Sequence, residues 1–234
     1  VQPLSGRPDA AGVLFTVAFV AISTLVGLLM ALAIDKAPVG RRFLQAALIL
    51  PWATPWVVVG ILWNRFAADP NGLSLAKLLI QLGVIQPHES LLAMPVPALI
   101  LVVLAASWRQ SCFSAMLFIA ALKTVPPSVL EAGHVDGASG WHRLVRLKLP
   151  IIAPVTGTVV VFNVIFGFLQ FDVVYAMTGG GPANATKILP IMIYDTLYNN
   201  TQMGTGTALS MILAVVALAI GFFVVKVTGR KATA

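Results

Sequence analysis

Long uninterrupted apolar stretches, separated by short polar segments, dominate the chain. Five of them carry no more than one charge each: residues 10–34, 43–63, 94–122, 149–171 and 207–225. A helix needs roughly 20 apolar residues to cross a bilayer, so each predicts one membrane span. The third stretch is 29 residues long. Two crossings would need about 40, so it predicts one long helix whose far end protrudes into water. Pro51 and Pro55 fall inside the second stretch. Prolines within spans are tolerated where neighbouring helices satisfy the freed backbone groups, which points to a packed bundle. The expected fold is all-α: a polytopic membrane helical bundle with five transmembrane helices.

Composition agrees. Of 234 residues, 59% are hydrophobic and 10% charged, and mean hydropathy is +0.93. A soluble domain is nearer half apolar and a quarter charged, so a soluble enzyme and a disordered chain are both excluded as starting assumptions. The single cysteine, Cys112, excludes a disulfide framework and a cysteine-based zinc site, and reads as a small core residue. His88, His134 and His142 are too dispersed to form a metal site.

The 15 Lys and Arg exceed the 8 Asp and Glu, giving +7. In a chain this apolar the excess sets orientation in a lipid membrane rather than binding nucleic acid. With the N-terminus outside, the inner segments hold Lys36, Arg41, Arg42, Lys123, Arg143, Arg146, Lys148, Lys226, Arg230 and Lys231. The outer segments hold Arg7, Arg65, Lys77 and Lys187, and Arg109 lies within the membrane. Ten against four places the 124–150 loop and the C-terminus in the cytoplasm. An outside N-terminus without a signal peptide, starting at Val1, leads to the expectation that an N-terminal helix is missing.

The 124–150 loop carries the sharpest local pattern. Pro126 and Pro127 end the third span. Ser128 and Glu131 have capping-box spacing, predicting a helix over 129–135. Gly137 and Gly140 are expected to break it, and Trp141 to Lys148 then sets basic residues beside Leu144, Val145 and Leu147 as the chain enters the fourth span. A stiff helix pair on a cytoplasmic loop suits docking; an amphipathic interfacial loop is the plainer alternative.

This loop resembles that of the permease subunits of bacterial ABC importers, which share Glu-Ala-Ala, three residues, Gly, nine residues, Ile-x-Leu-Pro. Here the residues are Glu131-Ala132-Gly133, Gly137 and Leu147-Lys148-Leu149-Pro150, at matching spacing. Asp136-Gly137-Ala138 is similar to the carbohydrate branch. A second motif, Phe171-Asp172-Val173-Val174-Tyr175-Ala176-Met177-Thr178-Gly179-Gly180-Gly181-Pro182, resembles the Phe-Asp-x-x-Tyr-x-x-Thr-x-Gly-Gly-Pro of maltose- and glycerol-phosphate-type permeases. It is expected to end the fourth span on the outer side. Two departures stand out: Gly133 for Ala, expected to loosen its helix by up to ~1 kcal/mol, and Leu147 for Ile.

The resemblance implies that residues 1–234 form one permease domain, the last five helices of a six-helix core. Within it, residues 124–150 dock on a separate ATPase through Glu131, Ala132, Gly133, Asp136 and Gly137. It also implies a second, different permease subunit, two ATPase subunits and an extracytoplasmic solute-binding protein, in a prokaryotic plasma membrane. The chain has no Gly-x-x-x-x-Gly-Lys-Ser/Thr phosphate loop, so ATP and Mg belong to the partner and no cofactor is expected here. The expected activity is transport without covalent chemistry.

For the substrate, Arg109 is the costliest residue in the spans. Helical spacing puts Arg109, Gln110 and Phe113 on one face, and Asn163, Gly167 and Gln170 on a face of the fourth span. Asn163 lies at similar depth to Arg109 and is expected to be its neighbour, in preference to Asp172. Amides, a guanidinium and a ring suit a sugar, and the resemblance likewise draws sugar contacts from these two helices. Helix-to-helix glue is the structural alternative. Arg109 also leaves a sugar phosphate or glycerol phosphate open. An ion-coupled secondary transporter would show inverted repeats and intramembrane carboxylates, and neither is evident.

Overall fold

The computed structural model describes residues 8–68, 75–82, 86 and 90–232. Arg7 of the orientation count and His88 lie outside the described residues. In chain order the helices are α1 (Pro8–Lys36), α2 (Arg41–Ala47), α3 (Ile49–Ala53), α4 (Trp56–Ala68), α5 (Leu75–Gln81), α6 (Pro95–Leu122), α7 (Pro127–Val135), α8 (Gly140–Arg143), α9 (Leu149–Phe168), α10 (Asp172–Thr178), α11 (Leu189–Tyr194) and α12 (Met203–Ala232). Among the described residues there are no strands. Four continuous helical stretches are long and apolar enough to span a membrane: 11–36, 95–122, 140–168 and 203–223.

The second expected span is broken. Its two halves, Arg41–Ala53 and Trp56–Ala68, meet at 93°, and only if this bent pair crosses as one unit are there five spans. The cause is local. Pro55 pushes the preceding residue out of the α region, and Thr54 is extended at φ −66°, ψ 128°.

The fourth span also ends earlier than expected. α9 stops at Phe168, and the Phe-Asp-x-x-Tyr motif folds as its own helix, α10, packed on α4. Asn64 of α4 donates to the Met177 carbonyl at 2.8 Å. Gln170, assigned to the α9 face, therefore lies beyond the helix end, although it is buried.

The long, central α6 is the most enclosed span, and α1 packs along it. A Cβ on Gly27 of α1 would lie 3.0 Å from the Ser111 carbonyl of α6, so glycine sets how closely the two backbones approach. α9 closes the third side. A polar network ties the three together at mid-span. Gln110 Nε2 donates to Asn163 Oδ1 at 2.9 Å. Asn163 Nδ2 in turn donates to Thr24 Oγ1 at 3.0 Å and to Ser114 Oγ at 3.1 Å. Asn163 and Ser114 are fully buried and Gln110 is 1% exposed. Apolar clusters lie on either side, one around Phe15, Phe19, Val102 and Val173, the other around Ala31, Phe118, Ile152 and Val159.

Asn163 is the hub of this network. Asn163→Ala strands the Gln110 amide and is expected to cost about 1 kcal/mol, within the range of interhelical hydrogen bonds in membrane proteins. Thermal unfolding of the full-length protein in detergent checks this. Its midpoint should fall relative to wild type, while Asn199→Ala, in an exposed pair with Asp195, should leave it unchanged.

Candidate docking loop and mid-membrane site

The 124–150 loop is a folded helix pair. α7 begins at Pro127 with Pro126 in the N-cap position, and the expected Ser128 capping box does not form. Proline at the first helical position has its φ preset and no N–H to satisfy, so the helix starts one residue before Ser128. Its C-terminus is closed by a bond from the Ala138 N–H to the Gly133 carbonyl at 2.9 Å and from Gly137 N–H to His134 at 3.1 Å. Gly137 sits at φ +73°, the left-handed position this closure requires. Gly140 does not break a helix but begins α8, and Ser139 caps it by accepting from the His142 N–H at 3.3 Å. That cap, legible as a serine before a basic helix, was missed in the sequence. A π-helical turn over Leu144–Lys148 joins α8 to α9. It widens the spiral just before Pro150, whose ring would crowd an α-helical carbonyl.

Glu131, Ala132, Asp136 and Gly137 are exposed, whereas Gly133 is buried. A Cβ on Gly133 would lie 2.8 Å from Leu147 Cδ1. The two departures from the family pattern thus face one another. A smaller residue in α7 accommodates the longer reach of leucine over isoleucine, so Gly133 serves packing as well as loosening its helix. On the outside of the pair, Val135 is 88% exposed and Trp141 72%. Leu130, Glu131, His134, Val135 and Arg143 line a shallow hollow there.

A carboxylate missed in the sequence ties this loop to the spans. Asp35 Oδ1 accepts from Arg41 at 2.8 Å, and its Oδ2 from Lys148 Nζ at 2.8 Å. It joins the end of α1, the start of α2 and the exit of the 124–150 loop. The signal was present: Asp35 is the lone acid in a segment otherwise holding Lys36, Arg41 and Arg42.

At mid-membrane the expected stripe divides. Gln110 and Asn163 point into the α1–α6–α9 network. Gly167 faces α1, where a Cβ would lie 2.7 Å from Phe19 Cδ1. Arg109 does not pair with Asn163. Its Nε donates to the Thr54 carbonyl at 2.8 Å, and its Cζ sits 3.9 Å from the centre of the Trp56 ring. Adjacent residues on a helix are about 100° apart, so Arg109 and Gln110 reach different neighbours. Phe113 belongs with Arg109 on a half-exposed aromatic surface. Its ring lies 6.1 Å from Trp52, 5.7 Å from Phe162 and 6.4 Å from Phe166. Phe162 and Phe166, one turn apart, were also missed; their i, i+4 spacing in an uncharged span was the available signal.

Asp35→Asn removes the carboxylate charge that holds both Arg41 and Lys148 and is expected to loosen the loop. Hydrogen exchange of the full-length protein should accelerate over 144–148 and not over 105–115. Unchanged protection at both would show that the ion pairs do not hold the loop.

A family model described as binding-protein-dependent transport system inner membrane component matches residues 23–230. The sn-glycerol-3-phosphate transport system permease protein UgpA of Agrobacterium fabrum is 35% identical over 212 residues, 90% of this chain and 71% of that protein. The trehalose transport system permease protein SugA of Mycobacterium tuberculosis is 33% identical, covering 93% of this chain and 68% of that protein. The trehalose/maltose transport system permease protein MalF of Thermococcus litoralis is 31% identical, covering 97% and 77%. Among solved structures, a bacterial ABC transporter that imports the acidic polysaccharide alginate superposes with a TM-score of 0.80 at 23% identity, over 94% of this chain and 78% of that one. The all-helical bundle, the family match over residues 23–230 and these relatives together make this chain a multi-pass inner-membrane permease subunit of the binding-protein-dependent ABC importer family.

Proposed function

We propose that this subunit imports a sugar and that its 124–150 loop, on the cytoplasmic side with the C-terminus, couples transport to a separate ATPase. The observation that carries the coupling is the docking loop itself: an exposed face with Glu131, Val135 and Trp141, clasped to α1 and α2 through Asp35. An external solute-binding protein delivers the sugar, and a second, different permease completes the pathway. Two ATPase subunits carry ATP and Mg. Closure of the ATPase pair moves the loops. Because 140–168 is continuous helix, the movement at the loop is carried rigidly to mid-membrane.

The sugar surface is the group formed by Phe113, Phe162, Phe166 and Trp52, with Arg109 at its edge. Rings stack on the C–H faces of a sugar, and the guanidinium offers further donors to hydroxyls. Gln110, Asn163, Gly167 and Gln170 support this surface from behind. The relatives that carry trehalose, maltose and alginate by name favour a di- or oligosaccharide. The relatives named for sn-glycerol-3-phosphate, with Arg109 available to a phosphate, support the second reading, a phosphorylated polyol.

Two sets of variants separate coupling from substrate. Glu131→Ala and Gly137→Ala, the latter forcing a side chain into the left-handed region at roughly 1–2 kcal/mol, should lower both binding-protein-stimulated ATPase activity and transport in proteoliposomes. Wild-type levels of both would refute the coupling role. Phe113→Ala should raise the transport KM about tenfold, the value of roughly 1.4 kcal/mol of lost ring contact, with ATPase subunits still bound. An unchanged KM would remove Phe113 from the pathway. Competition by glycerol 3-phosphate but not by disaccharides would select the second reading.

A further inference from the structure

A cavity of about 210 Å³ opens where the end of α1 meets the docking loop. Its polar lining is Asp35, Lys36, Arg143 and Lys148, and its apolar lining includes Leu32, Leu130 and Leu144. The charges do not balance. Asp35 is engaged by Lys148 and by Arg41 from outside the cavity. No carboxylate among the described residues pairs with Lys36 or Arg143. Arg41 adds to the local excess, since its Nε is buried without an acceptor. The cavity thus has one carboxylate against three cations, and two of those cations are free to meet an anion.

The apolar half locates that anion. α1 loses its apolar character after Ile34, so Leu32 lies at the last hydrophobic turn and Lys36 at the first polar one. The cavity straddles this boundary. A freely soluble anion has no use for three leucines beside two cations, whereas a phospholipid presents a phosphate joined to apolar chains. Basic pockets between membrane helices on the cytoplasmic side recognise such headgroups. We infer that this cavity binds the phosphate headgroup of an anionic phospholipid of the inner leaflet, with Lys36 and Arg143 on the phosphate and Leu32, Leu130 and Leu144 against its glycerol and upper chain. The inference rests on the cytoplasmic placement of the docking loop proposed above. Its consequence is mechanical: the walls come from α1 and from both helices of the docking loop, so an occupied site braces the loop against the span.

The test uses the whole importer, with its ATPase subunits, in nanodiscs of phosphatidylcholine with increasing phosphatidylglycerol. Native mass spectrometry counts retained phosphatidylglycerol, and stimulated ATPase activity is followed in parallel. A lysine or arginine near an anionic surface is worth roughly fivefold in affinity. Lys36→Gln should therefore weaken retention about fivefold and Lys36→Gln with Arg143→Gln about 25-fold, while Arg146→Gln, outside the cavity, should match wild type. The lipid dependence of ATPase activity should weaken in the same order. Equal retention in all variants, or equal loss with Arg146→Gln, overturns the site. Inorganic phosphate or glycerol 3-phosphate replacing the lipid in pure phosphatidylcholine discs overturns the lipid assignment. Lys36 lies on α1, away from the docking hollow, and retention is read on the permease itself. Failure of ATPase docking therefore leaves the lipid result interpretable: retention that follows Lys36 supports the site even if the coupling reading fails.

Discussion

The hydrogen bond from Arg109 to the Thr54 carbonyl is the contact on which the membrane architecture turns. A backbone polar group in hydrocarbon has no water to meet it, so a broken span persists only where the protein supplies a partner. Pro55 bends the chain and places the Thr54 carbonyl outside a regular helical ladder. Arg109, a costly residue at this depth, supplies the donor at 2.8 Å and rests its charge on Trp56. Each expensive feature thus makes the other tolerable: the break gives the guanidinium an acceptor, and the guanidinium lets the chain turn through 93°. That turn leaves Trp52 beside Phe113 and so shapes the aromatic surface.

The same rule governs the centre of the bundle with a different result. Gln110, one residue along, meets Asn163 in a network with Ser114 and the partly buried Thr24, joining three helices through side chains. The two neighbours on α6 therefore serve two surfaces, one half-exposed and aromatic and one locking the bundle. From Asn163 the helix runs back through the π-helical turn to Gly140, about 35 Å at roughly 1.5 Å per residue. This rod begins in the 124–150 loop and passes through the network before ending at Phe168. Asp35 clasps its base to α1 and α2, so a displacement at the loop is shared by three elements instead of being lost in a hinge.

Much of this was legible in the sequence because it depends on length and spacing. Apolar stretches of about twenty residues or more marked the spans, and the 124–150 motif and the Phe-Asp-x-x-Tyr segment announced themselves by residue order. What was not legible depended on neighbours. The prolines in the second span pointed to packing partners, but not to a 93° break, nor to Arg109 as the group that takes the freed carbonyl. The 3.6-residue period grouped Arg109 with Gln110, yet 100° between adjacent residues sends them to different partners. Ser128 and Glu131 had the right spacing for a capping box, and Pro127 started the helix first. Gly133 looked like a weakened helix position until Leu147 came to lie over it. Propensity describes a residue alone, and each of these outcomes was decided by a second residue, adjacent at Ser128 and distant in sequence at Arg109, Gln110 and Gly133.

The central claim is that the 124–150 loop is where an ATPase engages this permease. A photo-crosslinking amino acid at Val135, exposed on the outer face of α7, tests it in the full-length protein purified from membranes. The account predicts a crosslink to a subunit bearing a nucleotide-phosphate-binding loop, lost when the probe is moved to Phe222 on α12. A purified importer in which Val135 captures only lipid, or captures the external binding protein, would contradict both the docking role and the orientation on which it depends.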